Sequence, residues 1–416
     1  MGNKMELSIN SKEIFSLSTI GILFLFLLML WSMQPWFAWN YTEIMIVAFS
    51  GCFLLLRFVL IYKKHTVTYS ILIAISFAFL VYFMIRLRRT QSILGILNFI
   101  RTLLVFIFVM TMTKYEKEKT VNLATTIYAY IMATSIVAYL LVIVGFKLPY
   151  SIIEKPDSLF YPPFRNYRLF IIGTAQSVFF QRFQSIFTEP GHLATISALF
   201  LYINRYEIKR KSVLVIFISL LMSLSLAGYV LLILGYLIQM TARSKKIYIT
   251  IFKITAVTAL FFGIGVFYYI KYPDSMLSRL ILRRFELDER KGIRGNNRTS
   301  KNFNYFYETK FLTSTGSIIW GADLSEAQRF SLLGRGGNNS YKVFLLNYGI
   351  ISLILLFFMY FSIAAVNPSR LGFGLLLLYS ASFLQRTQTP LWDMQLFLFI
   401  GAMQCFQTES SNTLSN

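Results

Sequence analysis

Histidine and cysteine are nearly absent from this chain, with 2 of each among 416 residues. His65 and His192 cannot supply a zinc site of the H-E-x-x-H kind. Cys52 and Cys405 each lie inside an apolar run and offer neither a disulfide framework nor a thiolate cluster. Acidic residues are also scarce: 18 Asp and Glu stand against 40 Lys and Arg, a net charge of +22. No Walker loop is present and no G-x-G-x-x-G follows a strand, so neither nucleotide signature is found. The loops expected to face outward hold no carboxylate cluster resembling a divalent-metal site. No internal repeat signals an inverted-repeat transporter. No A-x-A-like cleavage site follows the first apolar run, which is expected to remain as a span.

What the chain has instead is apolar length. Hydrophobic residues make up 56% of it, and runs of roughly 20 apolar residues recur, each able to cross a bilayer core of about 30 Å. The sequence reads as an all-α polytopic membrane protein forming a single integral membrane domain over residues 1–416. The positive charge must then sit in loops. They contain no compact basic domain suited to nucleic acid, so anionic membrane lipid or a phosphate-bearing substrate is the expected partner class.

About twelve spans are expected, two of them short. The first five run near Phe15–Met33, Tyr41–Tyr62, Val67–Ile85, Ile93–Met112 and Val121–Phe146. Trp31, Trp36 and Trp39 form an interfacial belt after the first. A loop of about 40 residues follows at 147–188, long enough to expect a function. Its apolar piece Leu169–Phe180 is too short to span and predicts an interfacial or re-entrant helix. Span 6 begins near Glu189 and ends at Asn204. Ser212–Thr241 would be about 45 Å long as one helix and is basic at both ends. It is read as two short spans hinged at Ser223–Gly228, with one long tilted helix as the alternative. Span 9 covers Ile247–Ile270, a second large loop covers 271–340, and spans 10 to 12 cover Tyr341–Ala365, Leu371–Leu384 and Leu391–Phe406. A polar tail, 407–416, is expected in the cytoplasm. Lys63 and Lys64, the 114–119 run and Lys209–Lys211 place both termini inside and both large loops outside.

The stretch Arg182 to Ala194 sets an arginine, an acid and a histidine where a helix enters the membrane. Pro190 suits a first helical turn, and Thr188 or Glu189 suits the N-cap. Glu189 either caps that helix and complements its dipole or does chemistry. Arginine dominates the outward loops: Arg86, Arg88 and Arg89; Arg165, Arg168 and Arg182; then Arg279, Arg283, Arg284, Arg290 and Arg294. A guanidinium fork suits phosphate. The alternative for the last cluster is pairing with Glu286, Asp288 and Glu289 on a solvated helix face. Phe303, Tyr305, Phe306, Tyr307, Phe311 and Trp320 either stack on sugar rings or face the membrane or the small core of the loop.

Three landmarks, in this order, carry a resemblance. They are Arg182 with Phe187-Thr188-Glu189-Pro190-Gly191-His192, the kink Ser223-Leu224-Ser225-Leu226-Ala227-Gly228, and Gly336-Gly337-Asn338-Asn339-Ser340-Tyr341 followed by Asn347-Tyr348-Gly349. Together the chain resembles the O-antigen polymerase (Wzy) family within the O-antigen ligase/polymerase superfamily. The first five spans match only in hydropathy. Asn338 stands where ligase relatives often have histidine, and Leu226 where many relatives have arginine. The resemblance implies a GT-C-like architecture in the bacterial inner membrane, with two large periplasmic loops. It implies a metal-independent glycosyltransferase without cofactors. Donor and acceptor would be undecaprenyl-pyrophosphate-linked oligosaccharides, and a chain-length regulator and a flippase would be partners.

On this reading Arg182, Arg279, Arg283 and Arg284 would hold the pyrophosphate, with Arg165 and Arg168 contributing from the first loop. Glu189 would accept the attacking hydroxyl's proton, His192 would assist, and Asn338, Asn339 and Tyr341 would orient sugar. A ligase and a lipid-linked oligosaccharide flippase are the competing functions. A flippase should carry charges inside its spans, where only Arg57 and Arg101 are candidates.

Overall fold

A computed structural model describes residues 19–23, 26–27, 29–31, 33–39, 51, 69–87, 93–112, 114–155, 162–174, 182–244, 263–264, 266–275, 278, 287–288, 292–293, 300–323, 341–366 and 368–385. The expected spans 2 and 12 and the tail lie essentially outside these residues, as does most of span 9.

The protein is predominantly helical. Helix α1 (Tyr69–Tyr82) runs into a π turn at Phe83–Leu87, followed by α2 (Ile93–Thr111) and α3 (Lys114–Ile143). The sequence places span 5 from Val121, but α3 starts at Lys114. The charged run up to Lys119 is helical because Lys and Glu are good helix formers and leave no breaker there. After the first loop come α4 (Pro190–Ile203), α5 (Lys211–Met222) and α6 (Leu226–Arg243). The second loop contributes α7 (Lys301–Phe306), a π turn at Tyr307–Phe311, and α8 (Thr315–Trp320). Helices α9 (Tyr341–Val366) and α10 (Arg370–Gln385) close the described chain.

Tyr115–Ile143, Leu226–Arg243 and Tyr341–Val366 are long and apolar enough to cross a membrane. Their outer faces carry exposed apolar side chains such as Val137, Leu140, Ile233, Ile354 and Phe358. In water such faces would be an aggregation liability; in a bilayer they meet lipid.

Helix α4 is the centre of the bundle. Every residue from Gly191 to Ile203 is buried, which is what a helix apolar on all sides requires. Helices α5, α6 and α10 pack around it. Hydrogen bonds hold two of its polar side chains: Thr195 Oγ1 donates to the Gly191 carbonyl at 2.9 Å, and Tyr128 of α3 shares a 2.9 Å hydrogen bond with Ser197. Gly228 lets α6 approach: a Cβ there would stand 2.4 Å from the Ala194 Cβ. Small residues at a crossing are the usual device for close helix contact in membranes.

Residues 211–243 are two helices, not one. Ser223 closes α5, Leu224 takes a left-handed φ of 45°, and Ser225 caps α6 by accepting from the Gly228 N–H. Serine hydroxyls offer the backbone alternatives to the helical ladder, and Ser223 Oγ donates back to the Leu220 carbonyl at 2.6 Å. A left-handed leucine is disfavoured by about 1–2 kcal/mol, so surrounding contacts must hold this break.

Two small sheets depart from the all-α expectation. The first loop folds as a three-stranded antiparallel meander: β1 (Ser151–Ile153), β2 (Phe164–Asn166) and β3 (Ile171–Gly173). The helix expected across Leu169–Phe180 is therefore corrected where it is described. Asn166 Oδ1 accepts from the Arg168 N–H at 2.8 Å, and Arg168 has a φ of 68°. That Asx-type turn reverses the chain tightly, and the β-branched pair Ile171-Ile172 suits a strand. In the second loop, β4 (Leu287–Asp288) pairs with β5 (Gly292–Ile293) as a hairpin. The helical face proposed around Asp288 is not formed there.

Span 10 is also interrupted. Gly349 lies within α9 at φ 74°, and a Cβ on it would stand 2.3 Å from the Ile319 carbonyl oxygen. Only glycine meets both demands. The turns before it pack against α8, and the Ala322 N–H donates to the Leu346 carbonyl at 2.8 Å. Phe303, Phe306, Tyr307 and Phe311 bury together against Val343 and Leu346. These aromatics form a loop core, whereas Tyr305 and Trp320 stay exposed.

Candidate functional site

Glu189 is the N-cap residue of α4, with extended backbone, and its side chain makes no capping hydrogen bond. Pro190 follows at the first helical position, as the sequence indicates. The carboxylate thus makes no capping hydrogen bond, and its place beside the positive end of the α4 dipole remains.

The segment before it is tied down at several points. Arg182 Nε donates to the Ser223 carbonyl at 3.0 Å, and the Phe183 N–H donates to the Met222 carbonyl at 3.2 Å. Both carbonyls belong to the last turn of α5, which a helix leaves unsatisfied. A cation at that position also complements the negative end of the helix. Ser185 donates to Ser135 Oγ of α3 at 2.8 Å, and the Ser185 carbonyl accepts from the Ile171 N–H of β3 at 2.9 Å. The Ile186 carbonyl accepts from the Trp36 N–H at 3.0 Å. Five hydrogen bonds to four separate parts of the chain thus fix the approach to Glu189.

The consequence is a convergence the sequence spacing does not show. The N-termini of α4 and α6 lie side by side, joined at Ala194 and Gly228, with Arg182 bound to the hinge between α5 and α6. Two helix N-termini and an arginine in one place make a positive environment. Tyr229, one turn into α6, donates to the Leu221 carbonyl at 2.6 Å and feels the Arg182 charge.

Lys155, just after β1, is a member that the sequence reading missed. It is half-buried, and burial pushes its ammonium below the usual lysine range, while the neighbouring Glu189 carboxylate partly offsets that effect. A lone lysine between Glu154 and Pro156 carries no motif. Only the fold of the meander delivers it to Glu189.

His192 is 5% exposed, and its ring lies 4.9 Å from Phe187 in a tilted arrangement. It faces the packed interior of the bundle beside the site's edge. Arg165 lies in β2 with its guanidinium 5.8 Å from the centre of the Tyr150 ring, and Arg168 occupies the β2–β3 turn. The contacts described for these two arginines stay within the meander and its flank.

Tyr341 begins α9 and is partly exposed. It neighbours Tyr307, whose hydroxyl is pushed up to about 12 by burial and by the nearby Tyr341. Lys342 beside it bonds Asn304 at 3.2 Å and pairs with Glu308 at 3.7 Å. Tyr341 therefore sits at the exposed edge of the second-loop core, and no described contact brings it to Glu189. Arg279, Arg283, Arg284, Asn338 and Asn339 lie outside the described residues, as do Arg57, Arg88 and Arg89.

Among the described residues no group of three or more His, Cys, Asp or Glu side chains gathers in a way that could hold a metal ion. Arg101, buried in α2, lies 5.4 Å from the centre of the Trp31 ring; it is a charge within an expected span that a wedge of aromatic surface accommodates. No family model, curated protein or solved structure matches the chain.

Proposed function

We propose that this protein is a surface-polysaccharide polymerase of the bacterial inner membrane. It would join undecaprenyl-pyrophosphate-linked oligosaccharides at the outer face, without metal or nucleotide. The convergence of Arg182, Glu189 and Lys155 at the paired N-termini of α4 and α6 is the observation that supports this reading. It unites two of the three landmarks that carry the family resemblance, although some 40 residues separate them.

The chemistry follows from the charges. The acceptor hydroxyl attacks the donor's anomeric carbon, the C–O bond to the pyrophosphate breaks, and undecaprenyl pyrophosphate leaves with the bonding pair. Glu189 takes the proton from the attacking hydroxyl. The positive helix ends and Lys155 stabilise negative charge where it develops. Arg182 takes a narrower role than a free phosphate ligand: one of its donors is committed to the Ser223 carbonyl, so it orients the hinge while adding charge. His192 holds the wall of the site through Phe187. Arg165, Arg168, Arg279, Arg283, Arg284, Asn338, Asn339 and Tyr341 remain candidates for binding the rest of the two substrates.

Glu189→Gln should reduce polymer formation by about 10²-fold or more with unchanged membrane levels and melting temperature. Arg182→Ala should reduce both polymer and melting temperature, because it also uncaps α5. The readout is the glycan ladder of a deletion strain carrying each variant. Single repeat units on the surface acceptor indicate a lost polymerase. Polymer retained on its lipid carrier would indicate a ligase, and units stranded inside would indicate a flippase. A full-length ladder from Glu189→Gln would sink the site.

A further inference from the structure

At the end of α4 opposite Glu189 lies a second polar cleft that the proposed reaction does not use. It has a volume of about 220 Å³ and is lined by Glu118, Asn122, Asn204, Arg205, Glu207 and Arg210, together with Val121 and Ile203. The volume far exceeds the ~10–15 Å³ needed to admit one water, so a small polar group fits. The walls come from the first turns of α3 and from the reversal between α4 and α5.

That reversal is built in an unusual way. Arg205 and Tyr206, neither a glycine, both take left-handed backbone with φ of 57° and 54°. Asn204 is buried and holds the corner: its Nδ2 donates to Thr125 Oγ1 at 2.9 Å and to the Phe200 carbonyl at 2.8 Å, and its Oδ1 accepts from Arg210 at 3.4 Å. Residues held in disfavoured backbone persist where the surroundings over-determine them, and such places cluster at ligand sites. The result sets two guanidinium groups and two carboxylates around one small volume. Among the described residues neither Glu118 nor Glu207 forms an ion pair, so the acids are not consumed by the arginines across the cleft.

A pocket with both signs of charge, at a helix end flanked by exposed apolar surface, matches a small zwitterion. We propose that this cleft binds a phosphoethanolamine group, with the phosphate on Arg205 and Arg210 and the ammonium between Glu118 and Glu207. A planar guanidinium suits the phosphate oxygens. The paired carboxylates discriminate an ammonium, which donates hydrogen bonds, from the uncharged end of an anionic glycerol headgroup. The group can come from the membrane as phosphatidylethanolamine or from solution as its glycerophospho form.

The test uses the full-length protein, delipidated in a mild detergent and titrated with defined lipids, with binding counted by native mass spectrometry. Phosphatidylethanolamine should saturate one site about tenfold more tightly than phosphatidylglycerol. Glu207→Gln and Glu118→Gln, both isosteric, should erase that preference and leave phosphatidylglycerol binding unchanged. Arg210→Ala should weaken both lipids about tenfold. Glycerophosphoethanolamine displacing the lipid at equal concentration would assign the site to the soluble source; displacement only at great excess would assign it to the lipid. Equal affinity for the two lipids in the parent protein, or a preference that survives both glutamine variants, would overturn the proposal. Glutamine variants that melt like the parent make either result interpretable.

Discussion

Lys155 and Glu189 act on each other's charge, and that coupling has a pH signature. Burial makes the Lys155 ammonium give up its proton below the ordinary lysine value of 10.5. Below its own pKa the cation is present beside Glu189 and beside any anionic leaving group; as pH rises through that value the cation is lost. Activity should therefore fall on the alkaline side earlier than an unperturbed lysine would allow. Lys155→Arg keeps the charge at all accessible pH and should move the alkaline limb upward. Lys155→Met should lower the rate throughout and abolish that limb. Polymerisation by purified protein, measured from neutral to alkaline pH, reads both; an alkaline limb identical in parent and Lys155→Arg would separate Lys155 from the chemistry. Leu224 presents a residue-scale question of a different kind. Its left-handed φ is tolerable for leucine and worse for a β-branched side chain. Leu224→Gly should therefore fold at least as well as the parent, while Leu224→Val should destabilise by about 1–2 kcal/mol, read as a lower unfolding midpoint. Equal effects of the two would show that the backbone conformation is not what the position requires.

At the scale of elements, the α5–α6 break was the most legible feature of the site. The serine-bearing stretch Ser223–Gly228 and basic residues at both ends of Ser212–Thr241 announced it, because serine competes for backbone hydrogen bonds and a 30-residue helix overshoots the bilayer. The partners that stabilise the break were not legible: nothing in the sequence says that Arg182 and Phe183 reach the carbonyls of Ser223 and Met222. The meander was misread because Leu169–Phe180 has helical apolar content. The deciding signal was local, an Asn two residues before Arg168 able to form a tight turn ahead of a β-branched pair. The packing of α6 on α4 through Gly228 allows a direct check. Gly228→Val places atoms inside the Ala194 contact and should destabilise by about 1–3 kcal/mol, read as a lower melting temperature. Gly228→Val combined with Ala194→Gly should recover much of that loss, since the second change vacates the colliding Cβ. Failure of the pair to recover would place the strain elsewhere.

For the whole molecule, hydropathy and charge spacing conveyed more than any motif. The apolar runs that appear as α1, α2, α4 and α9 start within a few residues of the expected positions, because runs of that length have little alternative to helix in a bilayer. The kink at Gly349 escaped because its cause is a distant carbonyl, that of Ile319. The proposed reaction requires an arrangement of sides. On that reading Glu189 and the meander share the outer face with α7 and α8, and the cleft at Glu207 lies on the inner one. Cys52 and Cys405 can be replaced to give a cysteine-free background. In it, Tyr150→Cys in the first loop, Leu312→Cys in the second and Lys209→Cys beside the cleft each introduce one exposed thiol. A membrane-impermeant maleimide added to intact spheroplasts should label Tyr150→Cys and Leu312→Cys at once, and Lys209→Cys only after permeabilisation. The reverse pattern would turn the molecule over, putting Glu189 on the cytoplasmic side, where the proposed acceptor and donor do not meet. Labelling of Tyr150→Cys without Leu312→Cys would separate the two loops and leave the site to the first loop and the α4–α6 pair alone.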